Sequence, residues 1–181
     1  KRTPKALENA DGKLIAFGRE AGMGRLQAAI TGGQYAHPLG LYYGGTGPSW
    51  SNLAMHRVLA TLGKEPRICM LDIHTGLGPF GHGELIVDAA PGTPRHRLAQ
   101  TIWGNAAVKS TQDGGSVSAI LTGTLEDGAA RAFPNAAFAY AALEFGTVDP
   151  MQVFRATQAW TWHVSRQHLE GRAAETAKAD M

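Results

Sequence analysis

The sequence is sparing in several features, and each shortage excludes something. It has one cysteine, Cys69, so an intrachain disulfide and a multi-cysteine metal cluster are excluded. Within the apolar run ICML that cysteine is expected to be a small buried hydrophobe. Excess charge is also scarce, since 17 Lys and Arg against 15 Asp and Glu leave a net +2. The basic residues are scattered and form no stripe, so nothing speaks for nucleic acid. No run approaches the roughly 18 apolar residues of a membrane span. No signal-like start is visible, although signals upstream of Lys1 are not observable, and the expected compartment is cytoplasmic. No repeat, no G-x-G-x-x-G opening a helix and no G-K-[ST] is present. H-E-x-x-H and G-x-S-x-G are missing as well. What remains is 181 residues, 44% hydrophobic and 18% charged, which suits one soluble domain with a real core and is too short for two.

The patterning predicts alternating strands and helices. Residues 1–18 are polar and irregular around LIAF and are expected to form a loose lead-in. Met23, Leu26 and Ile30 mark a short helix over 19–31, stopped by Gly32 and Gly33. The glycine-rich and aromatic stretch that follows reads as an ordered loop or a short strand between turns. Ser49 or Ser51 can cap a helix carrying Met55, Val58, Leu59 and Leu62. RICMLDI is apolar without a break until Asp72, as in a strand covered on both faces, and ELIVDA is a second candidate strand. Thr93 caps a helix with Pro94 at its first position, where the missing N–H costs nothing. Residues 113–128 are ambiguous, with VSAILTGTL readable as a short strand or a mobile loop. NAAFAYAALEFGT is a further strand. Asp149 and Pro150 open a long helix through about Gln167, with Val153, Ala156, Trp160 and Val164 on one face. The alternation predicts an α/β fold with a mixed, mostly parallel sheet flanked by helices.

Two of these strands end in reactive side chains. CMLDIH stops at His74 and FAYAALE stops at Glu144, and open α/β sheets bind ligands beyond the carboxyl ends of their strands. Imidazole serves as metal ligand or general base, and a carboxylate at the mouth of an apolar crevice is suited to proton transfer. If the strands are neighbours, both groups open onto one site. Asp72 stands two residues before His74, on the same side of an extended strand, where it can orient the ring. The plainer alternatives are a histidine bonded to a nearby carbonyl and a glutamate paired with a surface arginine. The glycines of HTGLGPFGHG equally suit a plain turn.

GGQYAHPLGLYYGGTGPSWSN (residues 32–52), DIHTGLGPFGHGE (72–84) and ALEFGT (142–147) closely resemble, in order, blocks of the zinc carboxypeptidase clan. The resemblance is to a metallopeptidase-like branch related to aspartoacylase and succinylglutamate desuccinylase, and it extends over about residues 20–168. It implies a carboxypeptidase-like fold and a zinc cofactor. By the same resemblance His74 is the third metal ligand, Glu144 the general base, and the substrate a peptide or an N-acyl amino acid. The clan's early His-x-x-Glu pair is absent after every histidine, as is the asparagine-arginine pair that follows it. The chain is therefore expected to be the carboxy-terminal portion of a catalytic domain, inactive alone and completed by an amino-terminal segment. A non-catalytic binding or assembly module, and a homo-oligomer formed over an exposed sheet edge, are the alternatives. A metal-free hydrolase using His74 and Glu144 directly ranks last, for want of a nucleophile motif. His82 and Glu84 flank the loop, where contact with substrate competes with a solvated role. Tyr42 and Tyr43 either line a pocket or cover a sheet edge. At least one of Trp160 and Trp162 is expected in the core, while His96, His163 and His168 are expected at the surface.

Overall fold

Two long strands and two short ones make the sheet. The computed structural model describes residues 4–116 and 118–179. Its strands are β1 (Arg67–Phe80), β2 (Gly83–Val87), β3 (Val108–Ser110) and β4 (Ala137–Gly146), in the order β1-β4-β2-β3. β1 runs parallel to β4 and β2 parallel to β3, while β2 meets β4 antiparallel. The helices are α1 (Pro4–Ala21), α2 (Met23–Thr31), α3 (Trp50–Thr61), α4 (Pro94–Trp103), α5 (Leu125–Ala132) and α6 (Pro150–Ala179). The mixed α/β architecture expected from the alternation is the one observed.

Helix starts follow local chemistry. Ser49, Thr93 and Thr124 each turn a side-chain oxygen to a backbone N–H three residues on, at Asn52, His96 and Asp127. Each satisfies one of the donors that a helix leaves open at its first turn. Asp149 does the same for Met151 through Oδ1 at 2.9 Å, with Pro150 as the first residue of α6.

The sheet carries a core on each face. Phe138 and Tyr140 of β4 meet Leu59 of α3 and Ala129 of α5, together with Phe133, and Ile68 and Met70 of β1 pack against them. On the other face Ala141 joins Val87, Val108 and Ala99 of α4, with Leu85 and Trp103 alongside. This second layer stops short of β1, where Leu71 and Ile73 stay exposed.

Several expectations are corrected. Cys69 is exposed, because it shares the uncovered face of β1 with Leu71 and Ile73, and β1 is an edge strand rather than one covered on both faces. Residues 4–21 form α1, since a run of Lys, Ala, Leu and Glu with few breakers favours helix despite its polarity. The second helix starts at Met23, where Gly22 at φ 91° separates it from α1. His96 is buried, on the face of α4 that also buries Ala99 three residues on, and its Nδ1 accepts from the Gly92 N–H. Trp160 and Trp162 are both exposed, and the Arg166 guanidinium lies over the Trp162 ring. Their helix puts Val164 in solvent too, so its apolar positions do not converge on a covered face. His163 is exposed, and the His168 side chain lies outside the described residues. Within the ambiguous stretch the described residues form no strand, and α5 begins at its end.

Candidate functional site

Strand pairing brings His74 and Glu144 together, although neither ends its strand as expected: β1 runs on to Phe80 and β4 to Gly146. His74 stands opposite Glu144 in the parallel β1–β4 register, and Asp72 opposite Ala142. Residues 70, 72 and 74 of β1 and 140, 142 and 144 of β4 alternate onto one face of the sheet, the face that α3 and α5 cover further upstream. On the other side of β4, Glu84 of β2 is registered with Glu144. The order across the sheet is therefore Glu84, Glu144, His74.

The ring of His74 lies between two carboxylates. Its Nε2 is 2.9 Å from Asp72 Oδ2, and its Nδ1 is 3.4 Å from Glu144 Oε2. Each ring nitrogen therefore faces a carboxylate oxygen, the closer contact being with Asp72. Asp72 Oδ2 also accepts from the Tyr140 hydroxyl at 3.0 Å. Glu144 is held from its other oxygen, where Oε1 accepts the Leu77 N–H at 3.0 Å.

The glycine loop makes that last contact possible. A Cβ at Gly76 would stand 3.0 Å from Glu144 Oε1, tight against the carboxylate. Gly78 has φ 109°, a conformation side-chain-bearing residues rarely adopt. Thr147 closes the turn, its N–H and hydroxyl both donating to the Gly76 carbonyl. The segment HTGLG is therefore a backbone clamp on Glu144 as well as a turn.

Burial falls steeply across the group. The side chain of Glu144 is 14% exposed, that of Asp72 26% and that of His74 47%. The cleft of about 300 Å³ between α3 and α5, lined by Met55, His56, Leu59 and Thr124 among others, includes none of these three residues. The site is open to solvent on its His74 side. Phe80, at the turn between β1 and β2, is almost wholly exposed.

A second charged group lies deeper on the same face. Glu126 of α5 is 2% exposed, accepts the Asp88 N–H at 2.7 Å and stands 3.6 Å from Arg95. Burial pushes its pKa up to about 6, against the Asp88 N–H and Arg95, which lower it. Tyr140 is 7% exposed; burial, and then the Asp72 carboxylate, drive its phenol well above the ordinary range.

Among the described residues no group of three His, Cys, Asp or Glu is placed to hold a metal ion. The donor types at His74 and Glu144 suit zinc, but one imidazole and one carboxylate fall short of the three protein ligands a catalytic zinc ordinarily has. The described residues fit part of such a site and do not close it.

His74, Asp72 and Glu144, expected from sequence to share a crevice, lie together. Tyr42 and Tyr43 belong instead to the loop before α3: Tyr43 bridges to Gln34 and meets Tyr35 edge to face, and Tyr42 takes φ 53°. Sequence reasoning missed Tyr140 and Leu77. The alternation YAALE, which places residues 140, 142 and 144 on one face, was the signal for the first; the second acts through its backbone and leaves none.

Comparison with curated proteins and with solved structures yields no match in either. One family model covers residues 1–181, and the chain belongs to that family, described as Protein of unknown function (DUF2817).

Proposed function

We propose that this chain supplies one metal-ligand histidine and the general base of a zinc-dependent peptidase or N-acyl amino acid amidohydrolase. The observation that supports it most is the register of β1 and β4, which sets His74 Nδ1 3.4 Å from Glu144 Oε2 while Asp72 takes the other ring nitrogen. A ligand histidine ordinarily donates its second N–H to a carboxylate, which fixes the tautomer and leaves the first nitrogen free to bind. Zinc, when bound, polarises a scissile carbonyl and makes water acidic enough to attack near neutrality.

The residues of this chain handle the proton. Glu144 takes it from the attacking water through Oε2 and returns it to the departing amine, while Oε1 stays on the Leu77 N–H. Asp72 keeps the ring from rotating. The remaining metal ligands come from outside the described residues, from another segment or another chain.

Activity against peptides and N-acyl amino acids, measured on protein purified with its natural companions through a carboxy-terminal tag, tests this reading. Glu144→Gln should lower kcat by about 10²–10⁴-fold, the usual worth of a general base, with little change in KM. Full activity in that variant refutes the assignment.

A second reading is a binding or assembly module without catalysis, favoured by the incomplete ligand set among the described residues. Solution mass separates the two. A stable homo-oligomer free of metal supports the module, and a metal-free monomer without companions counts against the half-site account.

A further inference from the structure

The sheet has a second end at which parallel strands finish, and it lies away from His74. β2 and β3 run parallel to each other and β2 antiparallel to β4, so their carboxyl ends sit beside the start of β4. The path along β4 from Phe138, near that start, to Glu144 is about 20 Å at the rise of a strand. Carboxyl ends of parallel strands are where open α/β sheets take ligands. A cavity of about 460 Å³ opens there, between the first turn of α4, α5 and the start of β4. Its volume is that of an ordinary ligand pocket.

Two arginines line this cavity, Arg95 from α4 and Arg131 from α5. Arg131 is exposed and has no ion pair or hydrogen bond among the described residues. Arg95 stands 3.6 Å from Glu126 Oε1, too far for a hydrogen bond, and donates to no other described group. An arginine committed to a carboxylate ordinarily closes to about 2.7–2.9 Å, often through two parallel bonds. Each guanidinium has five N–H donors and no acceptor. The donors of both are left to whatever enters the cavity.

Charge and lining decide what fits. Arg95 and Arg131 against Asp127 leave a single positive charge on the wall, and Asp127 already accepts the Gly123 N–H through Oδ2. A monoanion balances that wall, whereas a doubly charged phosphate exceeds it. Phe133 and Phe138 offer apolar surface beside the two cations. We propose that this cavity binds a small organic monocarboxylate, its carboxylate held between Arg95 and Arg131 and its apolar body against Phe133 and Phe138. Glu126, 2% exposed, is the protein's own competitor, since its carboxylate faces Arg95 from the buried side. The site is independent of His74 and of any metal.

Phenylacetate is the probe, titrated into the full chain near neutral pH and followed by NMR of the arginine side chains and alanine methyls. Saturable shifts should appear at Arg95, Arg131, Ala130 and Ala136. Phenylacetamide has the same shape without the charge and should bind about tenfold more weakly or worse, for want of charge-assisted bonds. Arg131 is exposed and unpaired among the described residues, so Arg131→Gln should leave the fold intact and weaken phenylacetate about tenfold. Glu126→Gln removes the competing carboxylate and should tighten it. No saturation at millimolar phenylacetate, equal binding of phenylacetamide, unchanged affinity in Arg131→Gln or weaker binding in Glu126→Gln overturns the proposal. Inorganic phosphate that binds more tightly than phenylacetate overturns it too.

Discussion

Replacing Glu126 by glutamine isolates the cost of a charge held beneath the sheet. The carboxylate is 2% exposed, with one oxygen 2.7 Å from the Asp88 N–H and the other 3.6 Å from Arg95. Burial raises its pKa from 4.5 to about 6. The unfolded chain releases this proton near pH 4.5 and the folded chain near pH 6, so between the two the folded state holds the extra proton. The associated stability is fully present below about pH 4.5 and is lost as the pH rises through about 6. A shift of about 1.5 units at 1.36 kcal/mol each is worth about 2 kcal/mol. Glutamine keeps an oxygen for the Asp88 N–H and has no charge to bury. Urea unfolding of both proteins at a series of pH values should show the wild type losing about 2 kcal/mol relative to Glu126→Gln between pH 4.5 and well above pH 6. Subtracting the two curves removes the titrating groups that do not interact with Glu126. A difference that stays flat across that range refutes the assignment of the shift to burial.

The remaining predictions concern packing, caps and the loop. Phe138→Ala should cost about 3–5 kcal/mol in urea unfolding, since Phe138 is 5% exposed between Phe133 and the helices. Ile73→Ser on the uncovered face should change the same measurement by no more than about 0.5 kcal/mol. Thr124→Ala removes the acceptor for the Asp127 N–H at the start of α5 and should cost about 1 kcal/mol. Gly146→Ala should cost at least about 1–3 kcal/mol, because the added methyl runs into the backbone of Gly78 and Pro79, which cannot swing aside as a side chain can. It should also shift the amide resonance of Leu77, whose bond to Glu144 depends on that loop.

Sequence made the strands that carry His74 and Glu144 legible because their apolar runs are long, but not their ends: β1 runs on to Phe80 and β4 to Gly146. The caps at Thr93 and Asp149 are equally clear, each being a local bond between neighbours in the chain, while Ser49 is one of the two serines the sequence offers for α3. What could not be read was anything decided across the sheet. Cys69 sits in an apolar run like any buried strand, and only the strand order shows that α4 leaves its face of β1 uncovered. His96 looks polar among Arg95 and Arg97, yet the helix turns it inward. Tyr140 reads as one more aromatic in a core strand until the register places its hydroxyl beside Asp72, two positions along the neighbouring strand. α1 is hidden for another reason: its polarity suggests a loose segment, while the helix propensity of its residues decides its conformation.

Metal analysis of the tagged protein, purified with whatever accompanies it in its source cells, tests the central claim most directly. About one zinc per chain is expected, lost in His74→Ala and kept in Glu144→Gln, in line with a site whose histidine binds and whose glutamate moves protons. Zinc absent from the wild type, or unchanged by His74→Ala, would contradict it.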